Sequence, residues 1–201
     1  MVHKTSALEM PVLETERLIV RPLVMDDLRD CHRLFVEIKW ADSNASEEEN
    51  LQSRREWLEW TVRNYAELAS LSQPPYGDRA VVLKPRQFVG LVGLVPSMGP
   101  FEQLPLFGGK EGAFFSPEVG LFWAILPEFQ SRGFATEAAR ALVNYALETL
   151  TLGRIVATTQ FDNQASIAVM RRLGMRIESN PYSQPPWFQI VGVLDRQEMS
   201  S

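Results

Sequence analysis

Apolar positions along the chain change period several times, and each change marks an element. Leu18 and Val20 alternate with Arg17, Ile19 and Arg21, a half-buried strand pattern that Pro22 stops. Asp26-Asp27 then open a helix through about Phe35, with Leu28, Cys31 or His32, and Phe35 on one face. Ser46-Glu47-Glu48-Glu49 has the form of a capped, acid-started helix on which Leu51, Leu58, Val62, Tyr65 and Leu68 or Ala69 share a face, thickened by Trp57 and Trp60. After a turn at 72–77, residues 79–83 and 88–95 read as strands linked by Pro85-Arg86. No period is visible over 96–117, which holds Gly108-Gly109, Phe101, Phe107, Phe114 and Phe115; a loop of that length is a lid, a binding loop or a segment packed on the domain.

The second half is more regular. Residues 118–126 are almost unbroken apolar and rich in β-branched and aromatic side chains, as in a strand buried on both faces, and Pro127 ends it. A helix is predicted from Thr136 to Leu150, with Ala138, Ala141, Leu142, Tyr145 and Ala146 at helical spacing. Residues 154–159 make a strand, and Ile167, Met170 and Leu173 a helix that Gly174 caps. Strands at 175–179 and 187–194 close the chain around the stiff connection 180–186. The order is strand, two helices, three strands, helix, strand, helix, two strands, a mixed α/β or α+β fold. A chain of 201 residues suits one domain, here 13–201 with an insert near 96–117, after a flexible segment at 1–12.

Composition narrows the chemistry. A net charge of −5 argues against a protein held to nucleic acid by phosphate contacts, and is compatible with an amine acceptor. The single Cys31 makes no internal disulfide and reads as a small core residue; with only His3 and His32 beside it, no metal site is expected. His32 is either an acid–base group or an ordinary helical histidine, the simpler reading. No apolar run has membrane-spanning length and the first residues lack a secretory core, so a cytoplasmic protein away from membranes is expected.

The candidate chemistry sits in Gln130-Ser131-Arg132-Gly133-Phe134-Ala135-Thr136, between the apolar strand and the helix. A turn entering a helix aims backbone N–H groups and the positive end of the helix dipole at one space, and small residues at Gly133 and Ala135 admit an anion. Arg132 either adds a charge or points to solvent. The spacing is neither Gly-x-x-x-x-Gly-Lys-Ser/Thr nor Gly-x-Gly-x-x-Gly. Gln130, Gly133 and Ala135 resemble the Gln/Arg-x-x-Gly-x-Gly/Ala loop of the GNAT superfamily of N-acetyltransferases. Asn163-x-x-Ser166 with Arg172-Leu173-Gly174-Met175 is similar to that family's Asn-x-x-Ser and Lys-Leu-Gly-Phe segment, and residues 13–22 resemble the first strand of its Rim-type branch, which acetylates protein N-termini and other amines.

The resemblance implies a central mixed sheet of about seven strands flanked by about four helices. It implies acetyl-CoA as cosubstrate, with pyrophosphate on Gln130–Thr136 and the pantetheine arm in a gap between the family's fourth and fifth strands, bonded to main-chain groups at Trp123, Ala124 and Ile125. Asn163 and Ser166 would hold the far side of CoA, or cap a helix. The acceptor would be a small-molecule amine or a protein N-terminus, attacked in a ternary complex, with Trp40, Trp57 or Trp60 lining its groove or packing as core. A main-chain N–H near Ile125 would polarise the thioester carbonyl. Glu118 is the candidate general base, two residues before the branch's usual Glu, or is a solvated strand-entry residue with water as base. Many members use a Tyr seven residues after the Asn to protonate the thiolate; here that place holds Met170, so Ser166, water or Tyr182 would substitute. The apolar last strand offers a homodimer edge. Two other classes stay open, a catalytically silent acyl-CoA-binding or scaffold domain and a nucleotide-binding module.

Overall fold

The computed structural model describes residues 10–196, so residues 1–9 of the expected flexible segment lie outside the described residues. Those described divide into two compact units, one built from the chain up to Leu94 with Phe122–Leu142, the other from Val95–Leu121 with the chain from Val143. Among them are eight strands and four α-helices, the mixed α/β class that the order of periods predicts.

In the first unit, β1 (Leu13–Glu14), β2 (Leu18–Pro22), β3 (Gly77–Leu83) and the start of β4 (Gln87–Gly99) are successive antiparallel neighbours, and the end of β5 (Ser116–Ile125) follows β4. The register pairs Leu18 with Leu83 and Asp78 with Gly93. Consecutive residues of β3 and β4 are buried, because both faces of this stretch are covered; α1 (Leu28–Glu37) and α2 (Glu47–Ser70) pack against each other beside it. A reciprocal capping box starts α2: Ser46 Oγ accepts from the Glu49 N–H at 3.2 Å while Glu49 accepts from the Ser46 N–H at 2.7 Å. Cys31 is fully buried, as expected, and burial pushes its thiol up to about 12. Trp57 packs on Phe35, whereas Trp60 is 60% exposed, so only the first thickens the helix's apolar face.

β4 and β5 approach closely where β4 has no side chain. The Leu126 N–H donates to the Val89 carbonyl at 2.9 Å, and a Cβ on Gly90 would stand 2.1 Å from the Ala124 carbonyl oxygen.

In the second unit the neighbours run β4, β5, β6 (Arg154–Thr159), β8 (Ile190–Asp195), β7 (Arg176–Ser179). β5 and β6 are parallel at Gly120↔Val156, and β8 is antiparallel to both β6 and β7. The last strand is therefore bonded on both sides, which corrects the expectation that it offers a free dimer edge. It also begins at Ile190 rather than Trp187, because after Pro185-Pro186 the Phe188 N–H turns back onto the Pro185 carbonyl at 3.0 Å. Residues 96–117 are more ordered than their lack of period suggests. β4 continues to Gly99, 3-10 turns follow at Phe101–Gln103 and Pro105–Phe107, and Phe101 and Leu104 join Val156, Phe188, Val191 and Val193 in one core. Phe114, 87% exposed, and Phe115 stay outside it.

Helix α3 (Phe134–Asn144) passes into a π-helical turn at Tyr145–Thr149. α4 (Gln164–Leu173) ends at Gly174 with φ +86°, the left-handed cap expected there.

Replacing Gly90 by Ala forces the backbones of β4 and β5 apart, and overpacking of this kind typically costs about 1–3 kcal/mol. Urea unfolding of Gly90→Ala is expected to show at least that loss, since the clash is with backbone rather than a movable side chain.

Candidate functional site

In the first unit β5 ends at Ile125, a 3-10 turn follows at Pro127–Phe129, and the chain enters α3 at Phe134. Of the main-chain segment expected to carry the pantetheine arm, Ala124 and Ile125 are buried and Trp123 half-buried. The Ile125 carbonyl already accepts from Gln130 Nε2 at 2.8 Å, which ties the loop's first residue back to the strand end. Ser131 (φ 60°) and Gly133 (φ 82°) hold left-handed conformations that turn the chain into the helix. The glycine is suited to this bend. α3 begins two residues before the expected Thr136, directly after Gly133.

The first intrahelical bond runs from the Glu137 N–H to the Gly133 carbonyl at 3.0 Å, so the N–H groups of Phe134, Ala135 and Thr136 have no carbonyl to meet within the helix. Thr136 Oγ1 is sealed from solvent and without a hydrogen-bond partner. Arg132 turns its guanidinium toward the Phe129 ring, 5.7 Å from its centroid.

A clamp from the start of β2 holds this helix entry. Arg17 Nε donates to Glu137 at 2.7 Å, the Arg17 N–H donates to the same carboxylate at 3.0 Å, and Thr15 Oγ1 donates to it at 2.5 Å. Arg17 Nη1 donates to the Arg132 carbonyl at 3.1 Å, and the guanidinium lies 4.6 Å from the Phe134 ring centroid. Although burial works against its charge, the hydrogen bonds from Thr15 and Arg17 hold the Glu137 carboxyl below the ordinary range. The sequence reading missed Thr15 and Glu137 as site residues. Their signal was present in Thr15-Glu16-Arg17 and in Thr136-Glu137, but nothing local shows that the two stretches meet.

A second group of charges lies where α1, α2 and β3 meet. Asp78 Oδ1 is sealed without a partner, its carboxylate lying over Gly93 of β4, where a Cβ would come within 2.7 Å of it. Burial pushes the Asp78 carboxyl up to about 6, against the pull of Arg54. Tyr65 of α2 donates to the Asp78 carbonyl and accepts from the Leu23 N–H at 3.2 Å; burial raises its hydroxyl to about 12. The guanidinium of Arg54 lies on the ring of Phe35, 3.3 Å from the centroid.

Within the second unit, Glu118 of β5 makes an ion pair with Arg154 at 3.2 Å, and Arg154 also bonds Asp195 at 2.7 Å. The candidate base is thus engaged with a cation. Asn163 caps α4, its Oδ1 accepting from the Ser166 N–H at 3.0 Å, the capping role weighed for it. Ser166 is half-buried in the first turn of that helix. Met170 is fully buried with its sulfur near Gly192, and the Tyr182 hydroxyl donates to the Gly109 carbonyl. No cluster of three or more metal-binding side chains occurs among the described residues, and none of the described helices is long and apolar enough to cross a membrane.

Residues 17–176 match the family described as "Acetyltransferase (GNAT) domain". The chain is 28% identical over 173 residues to the spermidine N(1)-acetyltransferase of Escherichia coli K12, covering 84% of this chain and 77% of that one. It is 43% identical over 61 residues to the uncharacterized N-acetyltransferase YnaD of Bacillus subtilis, a match spanning only 30% of this chain and 35% of that protein. An acetyltransferase from Agrobacterium tumefaciens superposes with a TM-score of 0.63 at 25% identity, covering 92% of this chain and 94% of that one. The ribosomal L7/L12 N-acetyltransferase RimL, solved with coenzyme A, has the same fold at a TM-score of 0.58 and 16% identity, covering 91% of this chain and 96% of its own.

The Asp78 carboxyl gives a pH test. Folded, it keeps its proton up to about 6, against 3.8 for the ordinary group, so between those values the folded state binds more protons and stability falls as pH rises. Two pKa units correspond to about 3 kcal/mol at most. Asp78→Asn is expected to gain stability relative to the unsubstituted protein as pH rises from about 4 to about 6, and to keep that advantage at higher pH. Denaturant titrations at pH 4, 6 and 8 check it.

Proposed function

The chain belongs to the acetyltransferase (GNAT) family and is an N-acetyltransferase, and on that premise we propose that it moves the acetyl group of acetyl-CoA to a primary amine. The reading takes 13–201 as one catalytic domain, in the cytoplasm, with the acceptor a small-molecule amine or a protein N-terminus. The observation that carries it is the entry of α3: a left-handed Gly133, the unbonded N–H groups of the helix's first turn and the orphaned Thr136 hydroxyl, all within four residues. Such a cradle fits a pyrophosphate, which takes several donors at once and gains from the helix dipole.

In this reading Gln130, Ser131, Arg132, Gly133, Phe134, Ala135 and Thr136 hold the pyrophosphate, and main-chain groups of Trp123, Ala124 and Ile125 take the pantetheine arm. The Ile125 carbonyl already accepts one bond, from Gln130, and keeps its second lone pair. Asn163 and Ser166 hold the far side of CoA. An acceptor ammonium loses one proton to a base, its lone pair attacks the thioester carbonyl, the C–N bond forms and the C–S bond breaks, and the second nitrogen proton goes to the departing sulfur. Glu118 or a water held by it is the base, with Arg154 fixing the carboxylate in place. Ser166 or water relays that second proton from nitrogen to sulfur, because Met170 is a core residue and Tyr182 is already donating elsewhere.

The opening residues 13–22 favour the Rim-type branch, while the similarity over 173 residues is to a spermidine acetyltransferase; both act on amines. A homodimer belongs to the same reading, and β7, the outer strand of the second unit, is the edge available to it. One observation favours a silent acyl-CoA-binding domain instead: the position that often carries a proton donor holds buried Met170. A thiol-release assay with an amine panel separates the two, since the silent domain binds acetyl-CoA without acceptor-dependent release.

Gly133→Glu strains the left-handed position and sets a carboxylate against the bound anion. Calorimetry is expected to show acetyl-CoA affinity weakened at least about 30-fold, equivalent to about 2 kcal/mol; unchanged affinity defeats the cradle reading. Arg17→Ala frees Glu137 to turn toward the N–H groups of its own helix. A weaker loss, about 5-fold to 10-fold in the same titration, is expected, or about 1 kcal/mol.

A further inference from the structure

We infer that the acceptor carries a carboxylate as well as an amine, as an amino acid or short peptide does, and that Arg54 is the residue that binds it. The inference rests on the acetyl-transfer reading above and adds the acceptor's class.

Among the described residues, Arg54 is a cation held in place with no ion-pair partner in contact. Its guanidinium lies on Phe35 and 4.9 Å from the ring centroid of Trp57, packing that restricts a side chain otherwise rich in rotamers. Nε is sealed from solvent with no hydrogen-bond partner, a costly arrangement for an ionised group. The terminal nitrogens make no hydrogen bond or ion pair among the described residues and are not sealed, so they face solvent. Asp78, the acid that pulls on Arg54, is beyond ion-pair distance and likewise keeps one oxygen sealed and unpartnered while the residue as a whole is half-buried. Two opposite charges thus stand apart, each with an outer atom open.

A ligand with an acceptor end and a donor end satisfies both. The carboxylate meets the planar guanidinium in the geometry that suits it best, and an N–H of the same ligand meets Asp78. A chain of ring contacts leads from this pair to β5: Phe35 contacts Trp40 at 5.8 Å and Trp40 contacts Phe122 at 5.7 Å, one residue before the segment assigned to the pantetheine arm. A polyamine fits worse, since it brings a second cation to Arg54 and no anion.

The test compares matched acceptors: each of the common L-amino acids, its amide, which keeps the amine and side chain but lacks the carboxylate, and spermidine. Steady-state thiol release is expected to give at least one amino acid a KM 10-fold or more below that of its amide, with spermidine poorer than either. Arg54→Gln is expected to raise KM for the amino acid at least 10-fold, leave the amide within 2-fold, and leave acetyl-CoA affinity unchanged; Arg54→Lys restores part of the loss. Amides or spermidine used as well as the free acids, or an equal KM change for acid and amide in Arg54→Gln, overturn the inference. Absence of thiol release with any amine would instead refute the acetyl-transfer reading. In that case calorimetry of the CoA-saturated protein with the same amino acids and amides decides the carboxylate question, equal or undetectable binding of both overturning it.

Discussion

The helix entry at Gly133 depends on where one carboxylate goes. Glu137 lies in the first turn of α3, where an acidic side chain gains from the helix dipole and can fold back onto the unbonded N–H groups. Thr15 and Arg17 draw it the other way, toward β2, through three donors at 2.5–3.0 Å. The donors at the helix mouth are thereby left without a partner from within the helix. The same arginine bonds the Arg132 carbonyl and covers Phe134, so a single side chain keeps the acid away, fixes the turn and seals the apolar side of the loop.

The clamp also explains why the loop needs so little side-chain chemistry of its own. Gln130 is spent on the Ile125 carbonyl, and Arg132 leans toward Phe129. What remains is backbone, and backbone donors hold an anion without the rotamer entropy that long side chains lose on ordering. The positive potential at the helix mouth comes from the dipole, while the charge of Arg17 is paired with Glu137.

The parts of the molecule legible in the sequence are those specified by neighbours along the chain. Residues 118–126 read as a strand from their apolar, β-branched and aromatic run; β5 is Ser116–Ile125, with Gly120, Leu121, Ala124 and Ile125 buried but Phe122 and Trp123 only half-buried, so its faces are not fully covered as expected. The α4 helix, from its Asn163 cap to Gly174, was legible for the same reason, since caps and turns act within four residues. Two-residue β1 has too few positions to show a period, and the lack of one over 96–117 hid Phe101 and Leu104, whose core partners lie on β6 and β8. The position of β8 between β6 and β7 was equally invisible, because a run of apolar residues says that a strand is buried and not which strands flank it.

The candidate site divides along the same line. Cofactor loops are read from spacing, since a turn, a glycine and a helix start are local. The inferred acceptor site is a pair, Arg54 and Asp78, 24 residues apart in sequence, neither in a motif, brought near each other by the packing of α2 beside β3. Their meaning comes from what they lack. A buried ion pair in contact would be a structural element with its charges spent. Here the ions are separated, each keeps a sealed and unpartnered atom, and rings hold the guanidinium still. Desolvating two charges without joining them costs folding free energy, and a binding site is where such a cost brings a return, because a ligand that completes both partners gains what the empty protein forgoes. That asymmetry separates an acceptor with an acid group from a polycation.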